Sequence, residues 1–425
     1  MNRTVQPGSR CGSAEIPASK SRAHRVLICA VISETPAELT CRGISRDIEA
    51  TIACLREMGH EIRLEGDRIT VLPGGREIRE PVLLCCGESG STLRFLLPVA
   101  GAMGLTGEFV MEGRLPERPL QPLWDVLCEK GMTLEQAGNR LRFSGRIAPG
   151  EYRIPGNISS QYISGLLFAL PLLEGESRLT VTGNMESADY IAMTEEAEAQ
   201  FGIEIGKEAE GRYLIPGRRP EGREGVPAPI RMEAESDWSS AAFFLCLGAF
   251  SERGVQVRGM NPISRQGDRR ILELLTGFGA RVETRETGIL VRRGKLRGQR
   301  INAAGIPDLV PVLAAVAAAA EGETVIDHAE RLRLKESDRL RSTTEMLRRM
   351  GADIEETADG LRIRGRSRLA GGTVSSFRDH RIAMSAAVAA SACEGPVTVL
   401  DAECTEKSFP GFWDLLEGME KEAGT

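Results

Sequence analysis

A chain of 425 residues is long for a single core, so two or three domains are expected. Its 41% hydrophobic and 27% charged residues are those of a water-soluble globular protein, and 4% aromatics leave too few rings for a single-stranded nucleic-acid stacking platform. A net charge of −6 excludes a generally basic surface for nucleic acid or membrane, so any anion site must be a local gathering of Arg and Lys.

The longest apolar run, 309–320, is interrupted by Pro311 and is too short to span a bilayer. The N-terminus lacks the apolar core of a secretory signal, so a cytoplasmic location with reduced thiols is expected. The ten cysteines show no Cys-x-x-Cys spacing and the four histidines are dispersed, so neither metal nor cofactor is expected. The chemistry falls to carboxylates, ammonium groups and guanidinium groups.

Taken in order, the chain repeats one phrase six times. A polar knot precedes an apolar helical run at Ser19-Lys20-Ser21, Glu88-Ser89-Gly90, Ser159-Ser160-Gln161, Asp237-Trp238-Ser239, Ile306-Pro307-Asp308 and Asp379-His380-Arg381. The knots lie roughly 70 residues apart, enough for a unit with two helices. A second, amphipathic helix is expected at 46–58, 119–130, 189–201, 268–278 and 338–350. Each is followed by a glycine suited to the left-handed cap (Gly59, Gly131, Gly202, Gly279, Gly351) and then by alternating, strand-like residues. The sixth unit ends on 409–419. Each unit thus reads β-α-β-α-β-β, and six units make two α/β domains of three. A linker is expected at 217–229, where Gly, Pro and charge replace apolar residues. Knots at helix N-termini in both domains suggest a cleft rimmed by helix dipoles.

The densest knot is 331–340, Arg-Leu-Arg-Leu-Lys-Glu-Ser-Asp-Arg-Leu. Its first four residues alternate as a short strand would, and Ser337 or Asp338 suits the N-cap of the helix that follows. Cations at a helix start suit an anionic ligand, and the carboxylate of Glu336 among them suits proton transfer. A solvated charge run is the plainer reading. The recurrence of such knots along the chain favours the functional one.

Seven motifs in order carry a resemblance: Ser-Lys-Ser at Ser19, Ser-Gly-Ser-Thr-Leu-Arg from Ser89, Glu-Arg-Pro from Glu117, Ser-Ser-Gln from Ser159, Lys-Glu-Ser-Asp-Arg from Lys335, Asp-His-Arg from Asp379 and Cys-Thr-Glu-Lys-Ser-Phe-Pro from Cys404. By these the chain resembles the EPSP synthase branch of the enolpyruvyl transferases over almost its whole length. The resemblance implies a two-domain α/β fold with pseudo-threefold units. The domains would be 1–14 with 228–425, and 15–227, joined by two crossovers and closing on ligand. It implies transfer of the enolpyruvyl group of phosphoenolpyruvate to the 5-hydroxyl of shikimate 3-phosphate, on the route to aromatic amino acids. Asp308, Glu336, Lys20 and Lys407 would be catalytic. Shikimate 3-phosphate would be held by Lys20, Ser21, Arg25, Ser159, Ser160, Gln161, Ser187, Asp308 and Lys335, with Tyr190 nearby. Phosphoenolpyruvate would be held by Lys20, Gly90, Arg118, Gln161, Arg339, Arg381 and Lys407. The enzyme is expected to be a monomer acting on small molecules alone.

Both substrates carry a phosphate and a carboxylate, whose repulsion is about 1 kcal/mol per pair at ~4 Å in water and grows as water leaves. Clustered cations are therefore required. Structural roles compete at several positions: Ser159, Ser160 and Asp308 also suit helix caps, Asp237 suits the hinge region, Gly90 suits a tight turn, and His380 suits a structural donor. Glu88 and Arg331 depart from the branch's usual residues, and Ala18 replaces a common glycine. A sister transferase acting on UDP-N-acetylglucosamine typically has Lys-Asn near its start and a loop cysteine; here Ser21 follows Lys20 and no cysteine neighbours Arg118. A silent anion-binding repeat protein would have no reason to keep Asp308, Glu336 and both lysines.

Overall fold

The computed structural model describes residues 1–218, 228–366 and 368–422, so most of the 217–229 linker expected from sequence lies outside the described residues. The chain divides into two units, Met1–Pro17 with Glu235–Thr425, and Ala18–Ala234.

In the Ala18–Ala234 unit three sheets share one plan: a parallel pair continued by an antiparallel hairpin. Their orders are Ile230–Glu233, Ala37–Thr40, Arg68–Gly75, His60–Glu65; then Val82–Gly87, Gly107–Met111, Arg140–Gly145, Met132–Ala137; then Glu151–Pro155, Ser177–Thr182, Arg212–Ile215, Gly206–Ala209. The other unit repeats the plan with Arg300–Asn302, Glu323–Asp327, Leu361–Arg364 and Asp353–Glu356. Its remaining two sheets recruit the N-terminus. Arg10–Glu15 runs parallel to Val255–Arg258 with Gly12 opposite Val255, and Arg3–Val5 runs antiparallel to Val397–Leu400 with Arg3 opposite Val399.

The two crossovers exchange leading strands. Arg10–Glu15 precedes the helix Lys20–Ile32 in the chain but pairs in the other unit, while Ile230–Glu233 precedes Trp238–Gly248 and pairs in register with Ala37–Thr40. This pairing keeps 228–234 with the middle of the chain, and the backbone bond from Asp237 N–H to Pro17 O keeps Pro17 with the far half. The units thus part after Pro17 and after Ala234.

Each first helix of a repeat is sheathed on all sides. Every residue of Trp238–Gly248 and Val310–Ala317 is buried, as is nearly every residue of Gly90–Met103, Ser160–Ala169 and His380–Ala389. The second helices bury one stripe; Arg339–Arg349 buries Leu340, Met346 and Leu347 and turns Arg341, Arg348 and Arg349 outward. The closing glycines all lie at positive φ, from +68° at Gly202 to +120° at Gly131, where a Cβ would be strained.

Some expected elements differ. Residues 330–334 form a 3-10 turn, not a strand. The segment pairs with no strand among the described residues, and the turn sends Leu332 into the core and Leu334 to the surface, where a strand would have put both on one face. The helix expected at 119–130 is only Leu123–Glu129, because Pro119 and Pro122 hold the chain out of the helix beforehand. The 268–278 helix begins as a 3-10 turn, Gly267–Arg270, and is α-helical only from Ile271.

Candidate active site

Five of the six knots do the same structural work. Ser19, Ser89, Ser159, Asp237 and Asp379 each sit in extended conformation and accept a backbone N–H of the helix they precede, from Arg22, Thr92, Gln161, Ser240 and Arg381 respectively. The sixth breaks the rule. Asp308 lies in the 3-10 turn Pro307–Leu309 and makes no capping bond. Its carboxylate instead accepts Arg339 Nη1 at 2.7 Å through Oδ1 and Arg381 Nη2 at 2.9 Å through Oδ2.

Arg339, 1% exposed, is the hub of this cluster. Its Nε donates to Asp379 Oδ2 at 2.8 Å and its Nη2 donates to Glu336 Oε2 at 2.7 Å, with a second contact to Asp379 Oδ1 at 3.3 Å. Lys407 Nζ lies 3.6 Å from the other oxygen of Glu336. Asp338 takes the N-cap of Arg339–Arg349, so Ser337 Oγ is left to donate to Asp379 at 3.1 Å. Asp379 thus caps one helix and orients the guanidinium of another.

The charges set one another's affinities. Burial opposes the Asp308 carboxylate, but Arg381, Arg339 and Lys335 outweigh it and hold the group well below the usual carboxylate range. Burial likewise opposes the Arg339 charge, and Asp379, Glu336 and Asp308 more than restore it. Burial, with Arg331 and Arg339 beside it, lowers Lys335 to about 7 against the pull of Asp308 and Glu336. Arg331 is therefore part of the electrostatic neighbourhood of Lys335.

In the Ala18–Ala234 unit the first turn of Gly90–Met103 organises a second group. Thr92 Oγ1 donates to Asp47 O at 3.5 Å, and the Asp47 carboxylate accepts Lys20 Nζ at 2.9 Å. Arg94 Nη1 donates to Gln161 Oε1 at 2.7 Å, and Gln161 Nε2 donates to Ser91 Oγ at 3.0 Å. Arg118 packs on Gly90 so closely that a Cβ there would stand 2.9 Å from Nη1. Tyr162 Oη and Arg94 Nη2 both donate to Pro119 O, at 2.5 and 3.3 Å, which fixes the chain beside Arg118. Since the clashing atom is the end of a flexible side chain, Gly90→Ala should fold with an unchanged melting midpoint while moving Arg118. Steady-state assays with the phosphoenolpyruvate that the resemblance implies should show its KM rising well above kcat's change; unchanged KM would reject a role for the pair.

Arg25, 2% exposed, is engaged by its own unit: it donates to Thr194 Oγ1 at 2.8 Å, Ser21 O at 2.7 Å and Tyr190 O at 2.8 Å. Ser187 starts Ala188–Gln200 from a left-handed φ of 55° and Ser160 is buried at the start of its helix. Glu88 lies against Gly113, and His380 is buried with Nδ1 3.9 Å from Asp379.

The residues expected from sequence thus fall into three groups, with Ser159 and Ser160 at the start of Ser160–Ala169 outside them. Asp308, Glu336, Arg339, Arg381 and Lys407 form one bonded cluster with Lys335 beside it. Lys20, Gly90, Arg118 and Gln161 gather at the first turn of Gly90–Met103, and Ser21, Arg25 and Ser187 are linked through Tyr190 and the Arg25 guanidinium. Sequence reasoning missed Asp47, Arg94 and Asp379. The last two stand inside quoted motifs, Ser-Gly-Ser-Thr-Leu-Arg and Asp-His-Arg, and a count of buried charge in those motifs points to them. Asp47 carried no signal beyond its place in the second helix.

Six polar knots at helix starts, on two units of three repeats, define a protein of the enolpyruvyl transferase fold. Structures of that fold align with this one throughout: the enolpyruvyl transferase NikO from Streptomyces tendae at TM-score 0.78 over 99% of this chain and 98% of that one, at 18% identity. An EPSP synthase from Acinetobacter baumannii aligns at TM-score 0.77 and 28% identity, covering 98% and 97% of the two chains. The family model for EPSP synthase (3-phosphoshikimate 1-carboxyvinyltransferase) matches residues 6–416, and the chain belongs to that family. Relatives named 3-phosphoshikimate 1-carboxyvinyltransferase include those of Clostridium kluyveri, 38% identical over 99% of this chain and 97% of that protein, and of Clostridioides difficile, 36% identical over 96% and 95%.

Proposed function

We propose that this chain transfers the enolpyruvyl group of phosphoenolpyruvate to the 5-hydroxyl of shikimate 3-phosphate, releasing inorganic phosphate, in aromatic amino acid biosynthesis. The observation that carries the assignment of roles is the cluster on Arg339, where Asp308 and Glu336 share one buried guanidinium yet differ in their remaining partners. Two carboxyls in different surroundings divide acid and base work. Asp308 accepts the 5-hydroxyl proton as that oxygen bonds to C2 of the enol, and Glu336 delivers a proton to the methylene carbon. The tetrahedral adduct then loses phosphate as Glu336 takes back a methyl proton. Lys407 and Lys20 stabilise the charge that builds on the leaving phosphate.

Phosphoenolpyruvate is read by Lys20, Gly90, Arg118, Gln161, Arg339, Arg381 and Lys407. Shikimate 3-phosphate is read by Lys20, Ser21, Arg25, Ser159, Ser160, Gln161, Ser187, Asp308 and Lys335. Incoming anions compete with Asp308, Glu336 and Asp47 for the cations that now hold them, so the protein's own carboxylates keep the cations charged and placed until substrate arrives. The enzyme acts as a cytoplasmic monomer. Its ten free cysteines, seven of them buried, agree with a reducing compartment.

Lys335 gives this reading a pH signature. A lysine lowered to about 7 is mostly neutral at about pH 8, and a phosphate dianion beside it favours the ammonium. Binding of shikimate 3-phosphate at about pH 8 should therefore take up close to one proton, seen as a buffer-dependent enthalpy in calorimetry. The uptake should vanish at about pH 5, where Lys335 is already charged, and in Lys335→Met. Buffer-independent heat at the higher pH would remove Lys335 from the phosphate.

The function itself is tested by phosphate release from phosphoenolpyruvate with each acceptor in turn. Release with shikimate 3-phosphate and none with UDP-N-acetylglucosamine is expected. The reverse pattern, or release with neither, rejects the proposal.

A further inference from the structure

Asp268 is a buried carboxyl that the proposed chemistry does not use. It lies in the 3-10 turn Gly267–Arg270 and is 1% exposed. Its Oδ2 accepts a hydrogen bond from Ser239 Oγ, on the first turn of Trp238–Gly248. Its Oδ1 is buried with no hydrogen-bond partner among the described residues. The turn is pinned to that helix end by Gln266, whose Oε1 accepts Trp238 N–H at 3.0 Å and whose Nε2 donates to Ser236 O at 2.9 Å. The Pro307–Leu309 turn that bears Asp308 packs on the same helix, and Arg270 Nη1 reaches to 3.7 Å from the Cβ position of Gly305.

The charges that act on Asp268 come from three elements: Asp308 from Pro307–Leu309, Arg381 from the first turn of His380–Ala389, and Asp237 from the cap of Trp238–Gly248.

We propose that Asp268 is a positioning residue for proton transfer at Asp308, its own charge setting how strongly Asp308 holds the proton it takes. This rests on the assignment of Asp308 as the base. With Arg381, Arg339 and Lys335 around it, Asp308 is a weak base as it stands. An ionised Asp268 shares the field of Arg381 and repels the Asp308 charge, so Asp308 binds a proton more tightly. A protonated Asp268 does neither. Burial, followed by the charge of Asp308, pushes Asp268 up to about 7, against the pull of Arg381 and the Ser239 hydroxyl. The surroundings thus drive the two carboxyls apart, Asp308 down and Asp268 up.

Two measurements test this. The first needs no turnover: in infrared difference titration of the ligand-free protein, the protonated-carboxyl band that Asp268→Asn removes should titrate near 7. In Asp308→Asn it should titrate at lower pH, because a like charge has gone. A band that is absent, or that Asp308→Asn leaves in place, overturns the proposal.

The second is the pH profile of kcat for phosphate release. Wild type should lose rate on the acid side with an apparent ionisation near 7. Asp268→Asn should lack that limb and turn over at least about tenfold more slowly above it, with KM unchanged. Ser239→Ala removes the bond that favours the anion and should move the limb to higher pH. It decides the matter if Asp268→Asn does not fold. An unmoved limb in Ser239→Ala overturns the proposal, and an infrared band that still behaves as expected would then place the fault in Asp308's role as base. A wild-type profile in Asp268→Asn overturns it outright.

Discussion

The Arg339→Ala protein is expected to lose about 3–5 kcal/mol of stability and at least ~10²-fold in turnover. The stability loss follows from what stays behind. Arg339 bonds Asp379, which is fully buried, and shares the neutralising of Asp308 and Glu336. Removing one partner of a buried ion pair leaves the other charged and desolvated, the costly outcome, whereas an exposed pair is worth little. The effect should appear in the denaturant midpoint of the unit holding Glu235–Thr425, followed through Trp238 and Trp413, both buried there. Arg339→Lys keeps a charge but cannot reach Asp308, Glu336 and Asp379 with a planar fork. It should recover part of the stability and little of the turnover. A wild-type midpoint in Arg339→Ala would mean the three carboxylates find other partners, and the hub assignment would fail.

The second large effect belongs to the two carboxyls. Glu336→Gln and Asp308→Asn should each lower kcat at least ~10²-fold while calorimetric affinities for both substrates stay within a few-fold of wild type. The amides keep size and hydrogen bonding to Arg339 but cannot carry the proton. The variants should also differ from each other. Asp308→Asn removes a charge that two guanidinium groups contact, so it alone should lower stability measurably. Glu336 bonds one guanidinium and lies 3.6 Å from the Lys407 ammonium, so it has less to lose. Near wild-type turnover in both variants would move the proton transfers elsewhere.

Much of this arrangement was legible in the chain before any coordinates. The knots were found because helix starts need an oxygen acceptor just before an apolar run, and five of them have that local geometry. The closing glycines were found because left-handed φ excludes a side chain. Both are short-range rules, satisfied within a few residues. The errors lie where local patterns are degenerate: four alternating residues at 331–334 suit a strand or a single 3-10 turn, and nothing within those four residues chooses between them.

The sequence by itself determined the repeat, the buried first helices, the positions of helix ends, and the set of cations and carboxyls available for chemistry, since each depends on residue type and spacing along one stretch of chain. Tertiary structure alone decided which of these groups meet. Asp308 reads as a helix cap until Arg339 and Arg381 arrive from helices 31 and 73 positions further along. Asp379, Asp47 and Asp268 acquire their electrostatic roles the same way, and the exchange of Arg10–Glu15 for Ile230–Glu233 cannot be seen from either strand. The physical reason is common to all: charge–charge coupling and strand pairing act through space, and no periodicity in the chain encodes which distant segment will lie opposite.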